Sequence, residues 1–376
     1  MKLKYSALAF ATSLAIAPGI ASAAQSVFGA LSNFDAVNHT GQTARGFEIE
    51  LEGLHLNDIS DTFGGPGRGF PTSVERYGAP SVSEYTNGPI FGVRVTYQAT
   101  YNSVTGTWSS IGGTFPGADV ATPSGIFANP GDSCWSGGGI GYSLATPCDH
   151  FGVGTWGNPT KTTYSWLVES SPGQLTKALV NVPAPNWVVN QPPPAPGLPP
   201  PPPVVVAVIE APEPEIVGQW GTAIWAKVFT TEFDREVVLE ELMGEILRDL
   251  PPAVALETEM EWQLLQKNDA GNGGVLENGY LAPVGANAES VIRRYEFYEY
   301  IGLYKPSDHE AQPILGDSHA DPSEVGAFLG AQQAGINLNG PLAIPEPETY
   351  AMMLAGLGLL GFVARRRKTI LGVAAT

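Results

Sequence analysis

Apolar and polar residues alternate in short runs along much of this chain. In GFEIELEG, Phe47, Ile49 and Leu51 alternate with Glu48, Glu50 and Glu52. A period of two predicts a strand with one buried and one solvated face. VRVTYQAT repeats the pattern, with Val93, Val95 and Tyr97 opposite Arg94, Thr96 and Gln98. Between NFDAV and the first run, Asn38-His39-Thr40-Gly41 has the composition of a turn. ETEMEWQLL sets Thr258, Met260, Trp262 and Leu264 against Glu257, Glu259, Glu261 and Gln263, while VVVAVIE, AIWAKVF and VIRRYEFYEYIGLY predict further strands. One run changes period. REVVLEELMGEILRDL gathers Val238, Leu239, Leu242, Ile246 and Leu250 on one helical face and stops at Pro251-Pro252. The expected fold class is therefore mainly β: immunoglobulin-like sandwich domains, with one helix in the second.

The division into domains rests on QPPPAPGLPPPPP, residues 191–203. Such a run favours an extended polyproline helix, which at ~3.1 Å per residue would hold two bodies about 40 Å apart. It reads as a spacer between a β-rich domain at 24–190 and an acidic, mainly β domain at 204–340. The other reading is a ligand for a proline-binding module, a mainly cytoplasmic theme. No internal repeat relates the two halves.

Charge narrows the function. The formal net charge is −18, and only 15% of residues are charged. Nucleic acid is excluded as a partner, since its phosphates need Lys and Arg to release counterions. Anionic headgroups would be repelled as well. The N-terminus has the layout of a secretory signal: Lys2 and Lys4, an apolar stretch from Ala7 to Ala17, then Ala21-Ser22-Ala23. Signal peptidase would cleave after Ala23 and leave Ala24 as the first residue, making 1–23 the signal peptide.

The other end is more specific. Ile344-Pro345-Glu346-Pro347-Glu348-Thr349 leads into TYAMMLAGLGLLGFVA and then Arg365, Arg366, Arg367 and Lys368. The prolines keep the box extended and accessible. The sixteen apolar residues would span about 24 Å as a helix, short of a ~30 Å hydrocarbon core. The basic cluster would stay on the cytoplasmic side. Residues 341–376 in this order resemble the PEP-CTERM family: a Pro-Glu-Pro box, a short Leu/Gly-rich transmembrane helix and an arginine cluster. The chain departs from that pattern in continuing past the cluster from Thr369 to Thr376. The resemblance implies an exosortase as partner, cleavage near the box, and transient insertion into the inner membrane. It also implies a Gram-negative host that makes exopolysaccharide.

The candidate chemistry of the body is sparse. Cys134 and Cys148 are the only cysteines, with thirteen residues between them. In an exported chain this pair predicts one disulfide closing a Gly-rich loop, and its spacing fits no zinc pattern. Gly131-Asp132-Ser133 looks like part of a serine-nucleophile box, yet Cys134-Trp135 follows where glycines would shape an oxyanion hole. His39, His55 and His150 have no context that marks a catalytic base. Asn268 to Gly274 alternates oxygen ligands without a closing carboxylate, so a hairpin turn is expected there in place of a calcium site. Asp317, His319 and Asp321 read as a solvated tether, and Glu257, Glu259 and Glu261 as a solvated strand face. Tyr295, Phe297, Tyr298 and Tyr300 occupy both faces of one strand. They predict either a packed core or, where exposed, a platform for sugar rings. The sequence thus predicts a non-catalytic surface or matrix protein with no cofactor and no metal. The alternatives are a surface-retained carbohydrate-binding module bound to exopolysaccharide and, less favoured, a secreted hydrolase.

Overall fold

A computed structural model describes residues 27–338 apart from 64–75, 111–117, 128–133, 135–139, 141–142, 181, 191–194, 196–203, 213, 238–254, 271–274 and 278–286. Among the described residues twelve strands precede the proline run. They are β1 (Val27–Val37), β2 (Ala44–Glu52), β3 (Ile59–Thr62), β4 (Ser81–Asn87), β5 (Ile90–Gln98), β6 (Thr100–Asn102), β7 (Thr107–Ser109), β8 (Cys148–Phe151), β9 (Val153–Thr155), β10 (Lys161–Ser171), β11 (Gln174–Val180) and β12 (Asn186–Asn190). After the run come β13 (Val204–Glu210), β14 (Ile224–Phe233), β15 (Ala255–Leu265), β16 (Val275–Glu277), β17 (Ser290–Tyr300) and β18 (Val325–Asn337). Among the described residues the helical elements are two single 3₁₀ turns, Leu56–Asp58 and Pro322–Glu324. The helix expected over Val238 to Leu250 lies outside the described residues.

The alternating runs form the strands they predict. Phe47, Ile49 and Leu51 on β2, and Val93, Val95 and Tyr97 on β5, are fully buried, and the two strands pair antiparallel. The polar face of β2 is less solvated than expected. Glu48 is only 7% exposed, because Lys177 and Arg94 close over it and Glu50 as ion pairs. The turn at 38–41 forms around Asn38. Its side-chain amide donates to the carbonyls of Gln42 (2.9 Å) and Thr122 (2.8 Å), and its oxygen accepts the Thr40 amide (3.2 Å). Gly41 takes φ +76°, a left-handed conformation that glycine adopts without strain.

Two large antiparallel sheets stack. One has five strands in the order β11-β10-β2-β5-β4, and the other six in the order β15-β14-β17-β18-β1-β8. Aromatics fill the space between them: Phe47 stacks on Phe151 with ring centroids 4.2 Å apart, and Trp166 meets both rings edge-on. The Trp166 indole donates to the Val37 carbonyl at 3.1 Å, tying β10 to β1. A three-stranded sheet, β12-β13-β16, adds Trp187, Val205, Ala207 and Ile209 to the same core. Face-to-face antiparallel sheets of this kind are consistent with the sandwich expectation.

The domain expectation needs correction. β1 and β8, from before the proline run, lie in one sheet with β14, β15, β17 and β18 from after it. Residues 25–341 make one compact unit, not two. The run is not a spacer either. β12 and β13, which flank it, pair from Asn186 with Val208 to Asn190 with Val204. Its two ends are thus neighbours across a ladder, about 5 Å apart, and cannot hold bodies 40 Å apart.

Candidate functional site

On the outer face of the six-stranded sheet lies a second core, built around the disulfide. Cys134 and Cys148 are bonded, and both are fully buried beside Val37, Phe127 and Phe328. Cys148 opens β8 and pairs in register with Val37, so the bond anchors the segment carrying Cys134 to the edge of the sheet. Tyr298, Tyr300 and Trp225 belong to the same cluster, with Trp262 and Leu264 packed against it.

Two buried ionic groups lie within the fold, and no local motif announced them. Arg76, only 1% exposed, donates to Thr122 Oγ1 (2.8 Å) and to the carbonyls of Thr146 (2.8 Å), Cys148 (3.1 Å) and Ser143. Asp149, equally buried, lies 3.9 Å from it. Burial pushes the Asp149 carboxyl above its ordinary pKa, and the Arg76 charge opposes that shift. On β17, Arg294 pairs with Glu296 (3.0 Å) and with Asp35 of β1 (3.4 Å), while the Tyr298 hydroxyl donates to Glu296 (3.0 Å). Burial, with Glu296 beside it, pushes the Tyr298 phenol well up. The charges of Arg293, Arg294 and Glu296 stand within one strand of the sequence, but nothing local shows that they are buried.

The candidate residues named from sequence separate in space. Ala21, Ala23 and Ala24, the box Pro345-Glu346-Pro347, the basic cluster Arg365 to Lys368, and Gly131-Asp132-Ser133 lie outside the described residues. His55 stacks on Phe91 and meets Glu84 at 3.3 Å on the surface. His150, half-buried, packs edge-on against Phe63. The turn at Asp269-Ala270 is not that of a hairpin: it leaves β15 for β16, which pairs with β13 in a different sheet. Asn268 accepts the Ala270 amide (3.1 Å), and Asp269 accepts that of Gly218 (2.8 Å). Asp321 caps a 3₁₀ turn by accepting the Ser323 amide (2.9 Å), directly before β18. The expected tether there is instead folded structure that feeds a thirteen-residue strand in the sheet interior. Among the described residues no three His, Cys, Asp or Glu side chains gather as metal ligands do.

Tyr295, Phe297, Tyr298 and Tyr300 are at most 5% exposed. The packed-core reading holds for all four, and they offer no surface to a sugar ring. Both faces of β17 are covered, Tyr295 and Phe297 lying in the core between the sheets and Tyr298 and Tyr300 in the second core, to which Phe127, Cys134 and Ala311 also belong. A cavity of about 470 Å³ opens elsewhere, between the start of β10 and the end of β13. Val182, Pro183 and Ala211 lie along it, and Lys267 pairs with Glu210 (3.4 Å) beside them.

Body and C-terminus together define a class: a disulfide-bonded, mainly β body followed by a sorting sequence. Residues 343–368 match the family model of the PEP-CTERM protein-sorting motif, so the chain carries that motif and with it the mark of an exosortase-sorted, exported protein. The match spans the Pro-Glu-Pro box, the apolar run and the basic cluster, and the body has no family match. No curated protein and no solved structure matches the chain. Among the described residues no helix is long and apolar enough to cross a membrane.

Proposed function

We propose that this chain is a non-catalytic protein of the cell surface or extracellular matrix, with a structural or interaction role. In this reading an N-terminal signal opens export, the short apolar run halts the chain in the inner membrane, and an exosortase cuts near Pro345-Glu346-Pro347. The observation that carries it is the sorting motif at 343–368, whose box, apolar run and basic cluster stand in the required order. Support for a non-catalytic body comes from how its ionisable groups are used. Arg76 with Asp149, and Arg294 with Asp35 and Glu296, are buried in structural pairs. Glu48 and Glu50 are held by Lys177 and Arg94.

The test is the C-terminus of the mature protein, read by mass spectrometry in a host with an active exosortase. Loss of Arg365 to Lys368 is expected. A Pro345→Ala/Pro347→Ala variant should stay uncleaved and membrane-held; unchanged processing of that variant would mean that the enzyme does not read the box.

A further inference from the structure

Residues 301–324, between β17 and β18, fold back as a hairpin-like excursion at one end of the six-stranded sheet. Tyr304 bridges Ala311 antiparallel, the Gln312 amide donates to the Leu303 carbonyl (2.8 Å), and the Lys305 amide to that of Glu310 (2.8 Å). Around this bridge neighbouring side chains turn to opposite faces. Tyr304 and Ala311 turn inward, onto the core that holds Tyr300. Ile301, Leu303 and Ile314 turn outward and are 58%, 77% and 66% exposed, with Leu315 at 56% beside them. Single exposed aliphatics are ordinary, whereas Ile301, Leu303 and Ile314, with Leu315 following in the turn, expose an apolar patch of the kind that marks an interaction surface.

The face is also rigid. Glu324, 3% exposed, accepts the Ile314 amide (3.0 Å) and the Tyr300 hydroxyl (3.5 Å). The Trp220 amide donates to the Asp308 carbonyl (2.8 Å) and holds the tip. Docking onto such a surface requires little further ordering.

Its charge selects the partner. The flanking carboxylates Glu299, Asp308, Glu310, Asp317 and Asp321 outnumber Lys305, which already pairs with Asp308 (2.9 Å) and Glu310 (3.3 Å). The whole chain carries −18, and the basic cluster at 365–368 belongs to the sorting tail, so the body alone has no excess of cations to offer. A second copy would bring the same acidic rim, and an anionic bilayer would be repelled. The apolar face stands at the Val325 end of β18.

We infer that this face docks a partner protein whose contact surface is apolar at its centre and basic at its rim. The inference rests on the interaction role of the body and is independent of processing at the box. To test it, the exported protein and a Leu303→Asn/Ile314→Asn variant are titrated with a labelled amphipathic Leu/Lys peptide and with its Leu/Glu counterpart, read by fluorescence anisotropy. Both substitutions are on the surface, so the variant should melt with the wild type. The wild type should bind the Leu/Lys peptide about ten-fold or more tightly than the variant does, and than it binds the Leu/Glu peptide. Added salt should weaken that binding. Equal binding by the variant, or equal affinity for the two peptides, overturns the inference. So does a concentration-dependent dimer that the substitutions abolish in sedimentation, which would make the occupant a second copy. Flotation of the wild type alone with phosphatidylcholine vesicles would make it a membrane. Normal processing with no peptide preference sinks this inference alone; peptide binding with an uncut C-terminus sinks only the sorting reading.

Discussion

Replacing Arg76 by methionine should cost the body more than any surface change, and by a mechanism that pH can diagnose. Methionine keeps much of the volume but removes the charge and every donor. Asp149 then remains at 1% exposure with its cation gone, and the carbonyls of Ser143, Thr146 and Cys148 each lose a donor. Breaking a buried ion pair from one side typically costs ~3–5 kcal/mol, because an uncompensated charge is left behind. In a body of this size that corresponds to a fall in Tm of roughly 5–8 degrees. Thermal unfolding at pH 7 with the disulfide intact measures it. The double variant Arg76→Met/Asp149→Asn removes the stranded charge and should regain part of the loss. The pH dependence follows from the direction of the Asp149 shift. Burial already holds its folded pKa above the unfolded value near 3.9, and loss of Arg76 raises it further. For an acid shifted upward, the folded state binds the proton more tightly. Stability therefore falls as pH rises from the unfolded to the folded pKa, and is flat above it. The deficit of Arg76→Met should thus be full at neutral pH and shrink as the pH drops toward 4. A variant within about 1 kcal/mol of wild type at pH 7, or a deficit that grows on acidification, would refute the reasoning.

Further expectations follow from the fold. A protease site built into residues 191–203 and then cut should leave the two fragments together on a native gel, because strands from both sides share one sheet; separation would restore the picture of independent domains. Mass spectrometry of the exported protein without reduction should find no free thiol at Cys134 or Cys148, and replacing both by serine should cost ~3 kcal/mol by the loop-closure argument. Phe47→Ala should cost ~3–5 kcal/mol in denaturant unfolding, since the ring is fully buried against Phe151 and Trp166. Glu50 should titrate below an ordinary glutamate by NMR: burial alone would raise its pKa, but hydrogen bonds from Arg94 and Lys177 outweigh that. Its share of stability is therefore present at neutral pH and lost as pH falls through the lowered value, and Lys177→Met should move its titration upward.

The elements that could be read from sequence are those whose cause is local. Alternation in GFEIELEG and VRVTYQAT specifies a strand and its buried face, because successive side chains on an extended backbone must point to opposite sides. The disulfide was legible because an exported chain with two cysteines allows one intramolecular pairing. The sorting motif was legible because box, apolar run and basic cluster are contiguous and act through their order. Tertiary structure decided what depends on distant partners. Strand pairing is non-local, so nothing within NFDAV indicates that β1 would lie between β18 and β8. The proline run has the composition of a spacer, and only the pairing of Asn190 with Val204 makes its ends neighbours. Tyr298 and Tyr300 stand on the second face of their strand, and only the segments carrying Phe127, Cys134, Tyr304 and Ala311 place them in a core. The fold-back of residues 301–324 turns Leu303 and Ile314 outward. Arg76 looks like any loop arginine until the segments carrying Ser143, Thr146 and Asp149 close around it. In each case the environment of a side chain is set by segments far away in sequence, and local periodicity carries no record of them.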